Sequence, residues 1–140
     1  MFSHCLLFLL QRKENFIAME DEKYLVDIIF TRRDTYKFTF KRIDANGDVI
    51  PVSATEMWFT VKDDYNTKTI RIQKKLSTGE IVYDDSDHSY HVTIQPSDTA
   101  DFIYGNKYVC DIQVQQGNII KTIMKGTLEV TPEVTFEGVE

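Results

Sequence analysis

The densest group of side chains that could bind a metal or carry out acid–base chemistry lies between residues 84 and 91. It contains Asp84, Asp85, Asp87, His88 and His91. Imidazole nitrogens and carboxylate oxygens are ordinary ligands of divalent metal ions. His88 and His91 are separated by an odd number of positions, so on a regular strand their side chains lie on opposite faces. We therefore interpret the stretch as an acidic, solvated loop, and a metal-dependent enzyme ranks third among the functional hypotheses.

A second acidic stretch imitates the beginning of a calcium-binding loop. Asp44, Asn46 and Asp48 alternate in the way that the first ligands of such a loop do. Gly47 comes too early for that motif, however, and no glutamate closes the set at the twelfth position. The Asn-Gly dipeptide tolerates positive φ, so the sequence predicts a tight turn here rather than a calcium site.

Other catalytic signatures are missing from the sequence. There is no nucleophile elbow, phosphate-binding glycine loop or zinc-finger spacing. His4 lies in an atypical N-terminal stretch, which leaves two histidines in one acidic region for acid–base work. We predict a protein that is not an enzyme and that has no metal and no cofactor.

Length and composition indicate one globular domain that does not bind nucleic acid. The chain has 140 residues, of which 42% are hydrophobic, 12% aromatic and 27% charged, and it is long enough to bury a core. Its net charge is −6, and its basic residues are scattered, whereas a phosphate-binding surface needs clustered Lys and Arg. Cys5 and Cys110 form no disulfide framework, and the alternation around Cys110 predicts an inert, buried thiol.

Residues 1–18 differ in character from the rest of the chain. The apolar run Cys5–Leu10 is too short to span a bilayer, and basic residues come after it rather than before it, unlike in a signal peptide. We interpret this segment as an extension of the reading frame upstream of Met19, with a hydrophobic arm that packs on a partner as the alternative. The single domain is then expected over residues 19–135, with a tail over residues 136–140, and no membrane contact is expected.

Downstream of Met19 the sequence alternates with the period of β-strands. Tyr36, Phe38 and Phe40 point one way in one run. Turn signals recur at the spacing expected of a sandwich. We predict an all-β, Ig-like antiparallel β-sandwich of about eight or nine short strands. One short helical turn is expected near residues 97–102 and is capped by Ser97 or Asp98.

Two further strands carry local expectations. Ile70 and Ile72 are two positions apart in the predicted strand Thr69–Gln73, so we expect them on the same face. Gly126 predicts a kink or bulge before the strand that contains Leu128–Val130.

Partner-binding side chains are predicted at two places. Trp58 alternates with Met57 and Phe59, so it faces outward if those two face the core. An outward Trp on a sheet is a good interface anchor, with packing at the edge of the core and a ligand platform as alternatives. The second place is the mostly apolar run Tyr24–Phe30, together with the tail after Thr131. The candidate contact residues in that run are Tyr24, Val26, Ile28 and Phe30.

Three blocks of the sequence carry a resemblance to a known family. They read RDTYKFTFKRIDANGDVIPVSATEMWFTVK, YHVTIQPSDTADFIYGNKYVCDIQV and KTIMKGTLEVTPEVT. In this order they resemble the N-terminal domain of the phage baseplate upper protein family, which is found in tail tips of phages and prophages of Gram-positive hosts. The residues that carry the match are Asp34, Thr35, Gly47, Lys62, Pro96, Asp98, Thr99, Gly105, Tyr108, Asp111 and Gly126. Arg33 stands where the family commonly has glycine, so the backbone of that turn is expected to differ.

The resemblance implies a non-enzymatic structural protein of the virion, assembled in the cytoplasm of a bacterial host. Such a protein would be an attachment domain of a baseplate, tail tip or head-fibre base. It would dock distal tail, baseplate or fibre subunits and would self-associate, without nucleic acid or membrane. The alternative is a carbohydrate-binding module that contacts cell-wall polysaccharide of the host, for which Trp58 and the seven tyrosines are the motivation.

Overall fold

The structure, a computed structural model, describes the backbone of residues 6–11, 16–20 and 25–135 and the side chains of residues 26–135. Within these residues lie ten strands and one 3-10 turn over Pro96–Thr99. The strands are β1 (Leu6–Gln11), β2 (Phe16–Glu20), β3 (Leu25–Thr31), β4 (Tyr36–Arg42), β5 (Glu56–Lys62), β6 (Ile70–Lys75), β7 (Ile81–Asp84), β8 (Ser89–Ile94), β9 (Tyr108–Gln116) and β10 (Ile119–Thr131).

These strands form two sheets that face each other. One sheet has the order β3-β10-β9-β5-β6, and the other has the order β2-β1-β4-β8-β7. Strands β10-β9-β5-β6 and β4-β8-β7 correspond to strands G-F-C-C′ and B-E-D of an immunoglobulin sandwich. The predicted all-β, Ig-like sandwich is therefore confirmed.

One strand pair departs from the predicted antiparallel arrangement. β3 and β10 run parallel, from Leu25 opposite Lys125 to Thr31 opposite Thr131. After β3 the chain crosses to the other sheet as β4, so these two consecutive strands do not form a hairpin. Among the described strands, the neighbour of β3 in its own sheet is β10, the last strand of the sandwich, which runs in the same direction.

The N-terminal strands lengthen the second sheet. β1 pairs with β2 and also with β4, where Phe8 lies opposite Arg42 and Leu10 lies opposite Phe40. The boundary expected between residues 18 and 19 therefore falls within β2.

The core lies between the sheets and follows the alternation of the sequence. Phe38 and Phe40 of β4 are buried, and in β5 every second residue is buried. The rings of Phe38 and Phe59 meet edge to face across the two sheets, with centroids 5.3 Å apart. Phe40 stacks on Tyr90 of the neighbouring strand at 5.3 Å. Burial of each such side chain contributes about 1.5–3 kcal/mol to folding.

The prediction that Ile70 and Ile72 share a face is wrong. A bulge interrupts the pairing of β6 with β5, so Ile72 is buried whereas Ile70 is 46% exposed. An extra residue in one strand shifts the alternation by one position, which changes the face on which the preceding side chain lies.

The bulge expected near Gly126 lies elsewhere in β10. The register of β10 against β9 shifts between Thr122 and Met124, whereas Gly126 pairs regularly with Cys110 on one side and Val26 on the other. A Cβ atom added to Gly126 would collide with the carbonyl oxygen of Val26. The glycine is therefore needed for the close approach of β3 to β10 rather than for a kink.

The helical turn predicted near residues 97–102 is present as the 3-10 turn. Gln95, not Ser97, is its N-cap, and the Asp98 carboxylate accepts a hydrogen bond from the Gln95 backbone N–H at 2.7 Å. The ammonium group of Lys74, a buried residue of β6, lies 2.8 Å from the same carboxylate. Asp98 thus compensates a buried charge and ties the connection between β8 and β9 to the edge of the other sheet.

Candidate functional site

The two histidines of the acidic stretch have separate neighbours. His88 lies in the turn after β7 with a left-handed backbone (φ 59°), and its Nδ1 is 2.9 Å from the Tyr83 hydroxyl. Asp84 accepts hydrogen bonds from the Ser86 side chain and backbone, which hold the pKa of Asp84 below its usual value. Within residues 26–135, no three His, Cys, Asp or Glu side chains come together as metal ligands would. Asp84 and His88 therefore make their hydrogen bonds within this turn and the adjoining strand β7.

A Ser–His–Asp contact that sequence reasoning did not identify lies at the start of β8. Ser89 Oγ donates to Asp87 at 2.6 Å and lies 3.0 Å from Nε2 of His91. In an acyl-transfer triad the carboxylate orients the imidazole and the serine is open to substrate. Here the carboxylate binds the serine, Nδ1 of His91 faces Thr39, and Ser89 is fully buried. The arrangement stabilises the β7–β8 turn and lacks the order of groups that nucleophilic attack requires.

The calcium-like stretch forms the tight turn that its sequence predicts. The Asp44 carboxylate accepts hydrogen bonds from the backbone N–H groups of Asn46 and Asp48, at 2.9 and 3.0 Å. Gly47 has a φ of 88°, which glycine adopts readily. The oxygen that would be the first calcium ligand is thus occupied by the loop's own backbone.

Trp58 lies on the outer face of the five-stranded sheet that contains β3, as the alternation predicts. Met57 and Phe59 are fully buried, whereas Trp58 is half-buried. Its backbone is opposite Gln113 of β9 on one side and Lys75 of β6 on the other. An aromatic side chain is therefore displayed on the outer face of the sheet, on the strand next to the edge strand β6.

The apolar run at the start of the domain requires a correction. Val26 and Ile28 were expected to contact a partner, but they are core residues with 6% and 4% exposure. Phe30 packs against the core and stacks on Tyr36 at 4.7 Å. Among the described side chains of β3, the exposed apolar one is Ile29, because it lies on the face of the strand that points away from the core. Tyr24 lies outside the described residues.

The backbone at Arg33 also differs from expectation. Its φ is 69°, the left-handed conformation that glycine favours, so the turn keeps the shape that glycine would allow. The Arg33 backbone N–H donates to Thr99 Oγ1 at 2.9 Å, and Asp34 N–H donates to the Thr31 carbonyl at 3.0 Å. These hydrogen bonds hold the turn in a backbone conformation that is strained for arginine and that glycine would adopt without strain.

The same arginine belongs to a cluster that fixes the chain after β10. The Arg33 guanidinium lies 2.8 Å from the Glu133 carboxylate, and Tyr104 donates its hydroxyl to Glu133 at 2.8 Å. Arg32 lies over the Tyr104 ring at 4.4 Å and contacts Glu133 through Nε at 3.4 Å. Partial burial has the largest effect on the pKa of Glu133 and by itself would raise it. The hydrogen bond from Tyr104 and the charge of Arg32 oppose that effect, and the pKa lies below its usual value.

A cavity of about 340 Å³ opens on the same outer face as Trp58. Strands β5, β6 and β9 and the loop after β5 form its walls. Its side chains include Thr60, Lys62, Tyr65, Ile70, Gln73, Asp111 and Gln113. Of these residues, the sequence indicated only Lys62 and Asp111, and only through the family resemblance. The cavity itself could not be predicted, because its residues come from strands that are far apart in the sequence. Burial raises the pKa of Asp111, and the charges of Lys125 and Lys62 partly oppose that shift.

No helix within the described residues is long and apolar enough to cross a membrane. No family model and no curated protein matches the chain. A similar solved chain belongs to a structure described as "Structural basis of T cell specificity and activation by the bacterial superantigen toxic shock syndrome toxin-1". The TM-score is 0.43 at 6% identity, over 74% of this chain and 92% of that one. A likeness at this level carries no argument about function.

Proposed function

We propose that this protein is a non-enzymatic structural component of a phage virion, an attachment domain that docks subunits of the baseplate, tail tip or head fibre. The support comes from the family resemblance, whose residues occupy structurally demanding positions. Gly126 has no room for a side chain, Gly47 and Gly105 have positive φ, and Asp98 accepts the backbone N–H of the N-cap Gln95 and binds a buried lysine. Residues with such roles favour a shared domain architecture rather than a shared active site.

The docking surface that we propose lies at one end of the sandwich. Ile119 and Ile120 at the β9–β10 turn are 65% and 56% exposed, and Val52 in the β4–β5 connection is 55% exposed. Gln116 holds the two loops together by donating to the Ser53 carbonyl at 3.4 Å. Exposed apolar side chains in neighbouring loops favour contact with another protein. A stable contact would bury about 1,200–2,000 Å² in total, so it would extend beyond these three side chains.

The proposal is tested by mass spectrometry of gradient-purified particles from cells that produce the protein. We expect the protein at a fixed copy number per particle. The double variant Ile119→Asp/Ile120→Asp should be folded but missing from particles, because it places charge in the apolar patch. Ile103→Asp is the matched control, since Ile103 is also 60% exposed but lies in the β8–β9 connection. Complete particles without the protein would overturn the proposal.

The carbohydrate-binding alternative is favoured by the outward, half-buried position of Trp58. It is tested by titration with wall polysaccharide of the host. Loss of binding in a folded Trp58→Ala variant would support the alternative. An unchanged affinity in that variant would count against a role for this side chain.

A further inference from the structure

Asp111 is a half-buried carboxylate in the middle of a sheet face. It points outward from β9 between Thr60 of β5 and Lys125 of β10, which are its ladder neighbours. No residue in the described part of the chain donates a hydrogen bond to its side chain or comes within ion-pair distance. Because Asp111 keeps part of its surface open to the cavity, water can supply its hydrogen-bond donors in the free protein. A ligand with hydroxyl or N–H donors could take the place of that water.

Two neighbouring amides add further hydrogen-bonding groups. Gln73 donates its Nε2 to Thr60 Oγ1 at 3.2 Å, and Gln113 donates its Nε2 to Thr122 Oγ1 at 3.4 Å. With these bonds made through nitrogen, no residue among 26–135 donates to either Oε1 atom, and because a threonine hydroxyl can also donate, either end of each amide can face a ligand. The cavity therefore combines a carboxylate with two side-chain amides, a set of polar groups that suits a ligand rich in hydroxyl groups.

Apolar surface completes the cavity. Tyr65 and Ile70 line it and are 62% and 46% exposed. Trp58 lies opposite Gln113 in the sheet, on the same outer face, but does not itself line the cavity. A pyranose ring presents C–H groups on its faces and hydroxyl groups at its rim, so it can contact aromatic surface while its hydroxyls donate to fixed acceptors. The cavity volume of about 340 Å³ lies in the range of small-molecule sites.

Charge distinguishes a sugar from an amine. The positive charges of Lys125 and Lys62 are close enough to Asp111 to favour its ionised form. The same charges oppose the entry of a cationic side chain. We propose that the cavity between β5, β6 and β9 binds a neutral saccharide, with Asp111, Gln73 and Gln113 as hydrogen-bond partners for its hydroxyl groups. This inference does not depend on the virion role, and it names a site and a ligand class for the carbohydrate-binding alternative.

The test is an NMR titration of the whole ¹⁵N-labelled chain with glucose and with N-acetylglucosamine, and in parallel with a blocked lysine, N-acetyl-lysine methylamide. We expect one or both sugars to shift the amide signals of Thr60, Asp111 and Gln113. The dissociation constant is expected in the millimolar range, as for a single small ligand on an open site. Asp111→Ala should weaken sugar binding about tenfold or more, because it removes a charged acceptor.

Asp111→Asn keeps the shape of the side chain and replaces one acceptor oxygen by a donor, so it provides a folded variant if the alanine variant unfolds. It should also weaken sugar binding. Asp85→Asn is the matched control, because Asp85 is an exposed carboxylate in the β7–β8 turn. Three outcomes would overturn the inference: no shifts with either sugar at tens of millimolar, unchanged sugar affinity in both Asp111 variants, or binding of the blocked lysine alone.

Discussion

The phenolic oxygen of Tyr108 lies 2.9 Å from the backbone nitrogen of Ile103 and accepts its hydrogen bond. Tyr108 begins β9, so a side chain at the start of this strand holds the loop that leads into it. Its ring packs against Phe102 with centroids 4.2 Å apart. Together with Cys110 two residues later, this geometry is the tyrosine corner of immunoglobulin sandwiches, formed here without a disulfide partner for that cysteine among the described residues.

Tyr108→Phe is expected to reduce the free energy of unfolding by about 1–3 kcal/mol. The ring contact with Phe102 is kept, but the Ile103 N–H loses its acceptor. Urea denaturation followed by tryptophan fluorescence measures the change. Tyr65→Phe is the control, because Tyr65 is 62% exposed and should change stability little. Equal effects of the two substitutions would show that the corner hydrogen bond contributes nothing.

Two substitutions of Arg33 distinguish the effect of its left-handed backbone on stability from the effect of its ion pair with Glu133. Arg33→Ala and Arg33→Gly both remove the contact with Glu133, but only glycine adopts the positive φ without strain. We expect the glycine variant to be more stable than the alanine variant by about 1 kcal/mol in chemical denaturation. At Lys37, an exposed strand position, the order should be reversed, because glycine weakens strands. The same order at both positions would contradict this account.

Gly126→Ala is expected to destabilise the fold by about 1–3 kcal/mol or more, because the methyl group meets the Val26 carbonyl. The damage should be greatest where β3 pairs with β10. Compared with the parent protein, hydrogen exchange measured by NMR should therefore become faster in β3 by more than in β4 or β8. Lys125→Ala, one position away on the exposed face of β10, serves as the control. Normal protection of β3 in the Gly126 variant would disprove the close-approach role.

The Cys110 thiol is expected to be unreactive in the folded protein. Burial, with smaller contributions from Asp111 and Asp27, raises the pKa of Cys110 to about 12. The nucleophilic thiolate is therefore scarce at mildly alkaline pH, and the sulfur is also inaccessible. In a Cys5→Ser variant, a disulfide reagent at about pH 8 should label Cys110 only after urea is added. Rapid labelling without urea would show that the core opens locally.

Asp111→Asn should stabilise the protein at neutral pH and have a smaller effect in acid. Burial raises the folded-state pKa of Asp111 above its ordinary value of about 3.9. The folded state of the parent therefore gains stability as pH falls through the folded-state pKa, and the gain is complete below the unfolded-state pKa. Asparagine has no such dependence, so the difference between variant and parent shrinks as pH is lowered.

Because the carboxyl is partly exposed, the gain at neutral pH should be small. Thermal unfolding between about pH 3 and pH 7 measures it, in the range where the ordinary aspartate pKa lies. A difference that is constant over this range would show that the carboxyl is not perturbed by burial.

Several features of the fold could be read from local sequence. The alternation of β4, β5 and β9 predicts which side chains are buried, including Cys110, and which of Trp58 and Phe59 faces outward. The turn at Gly47 is predicted by the Asn-Gly dipeptide. These predictions succeed because strand period and turn preference depend on residues that are adjacent in the chain.

The tertiary structure decided the rest. The parallel pairing of β3 with β10, the exposed face of Ile70 and the left-handed Arg33 all depend on contacts between residues far apart in sequence. The cavity that brings Asp111 to Gln73 has the same origin, since β9 and β6 are both placed beside β5. Sequence alone determined which face of most strands is apolar. Only the folded chain decided which strands are neighbours, because register and pairing are selected by the joint burial of all those faces at once.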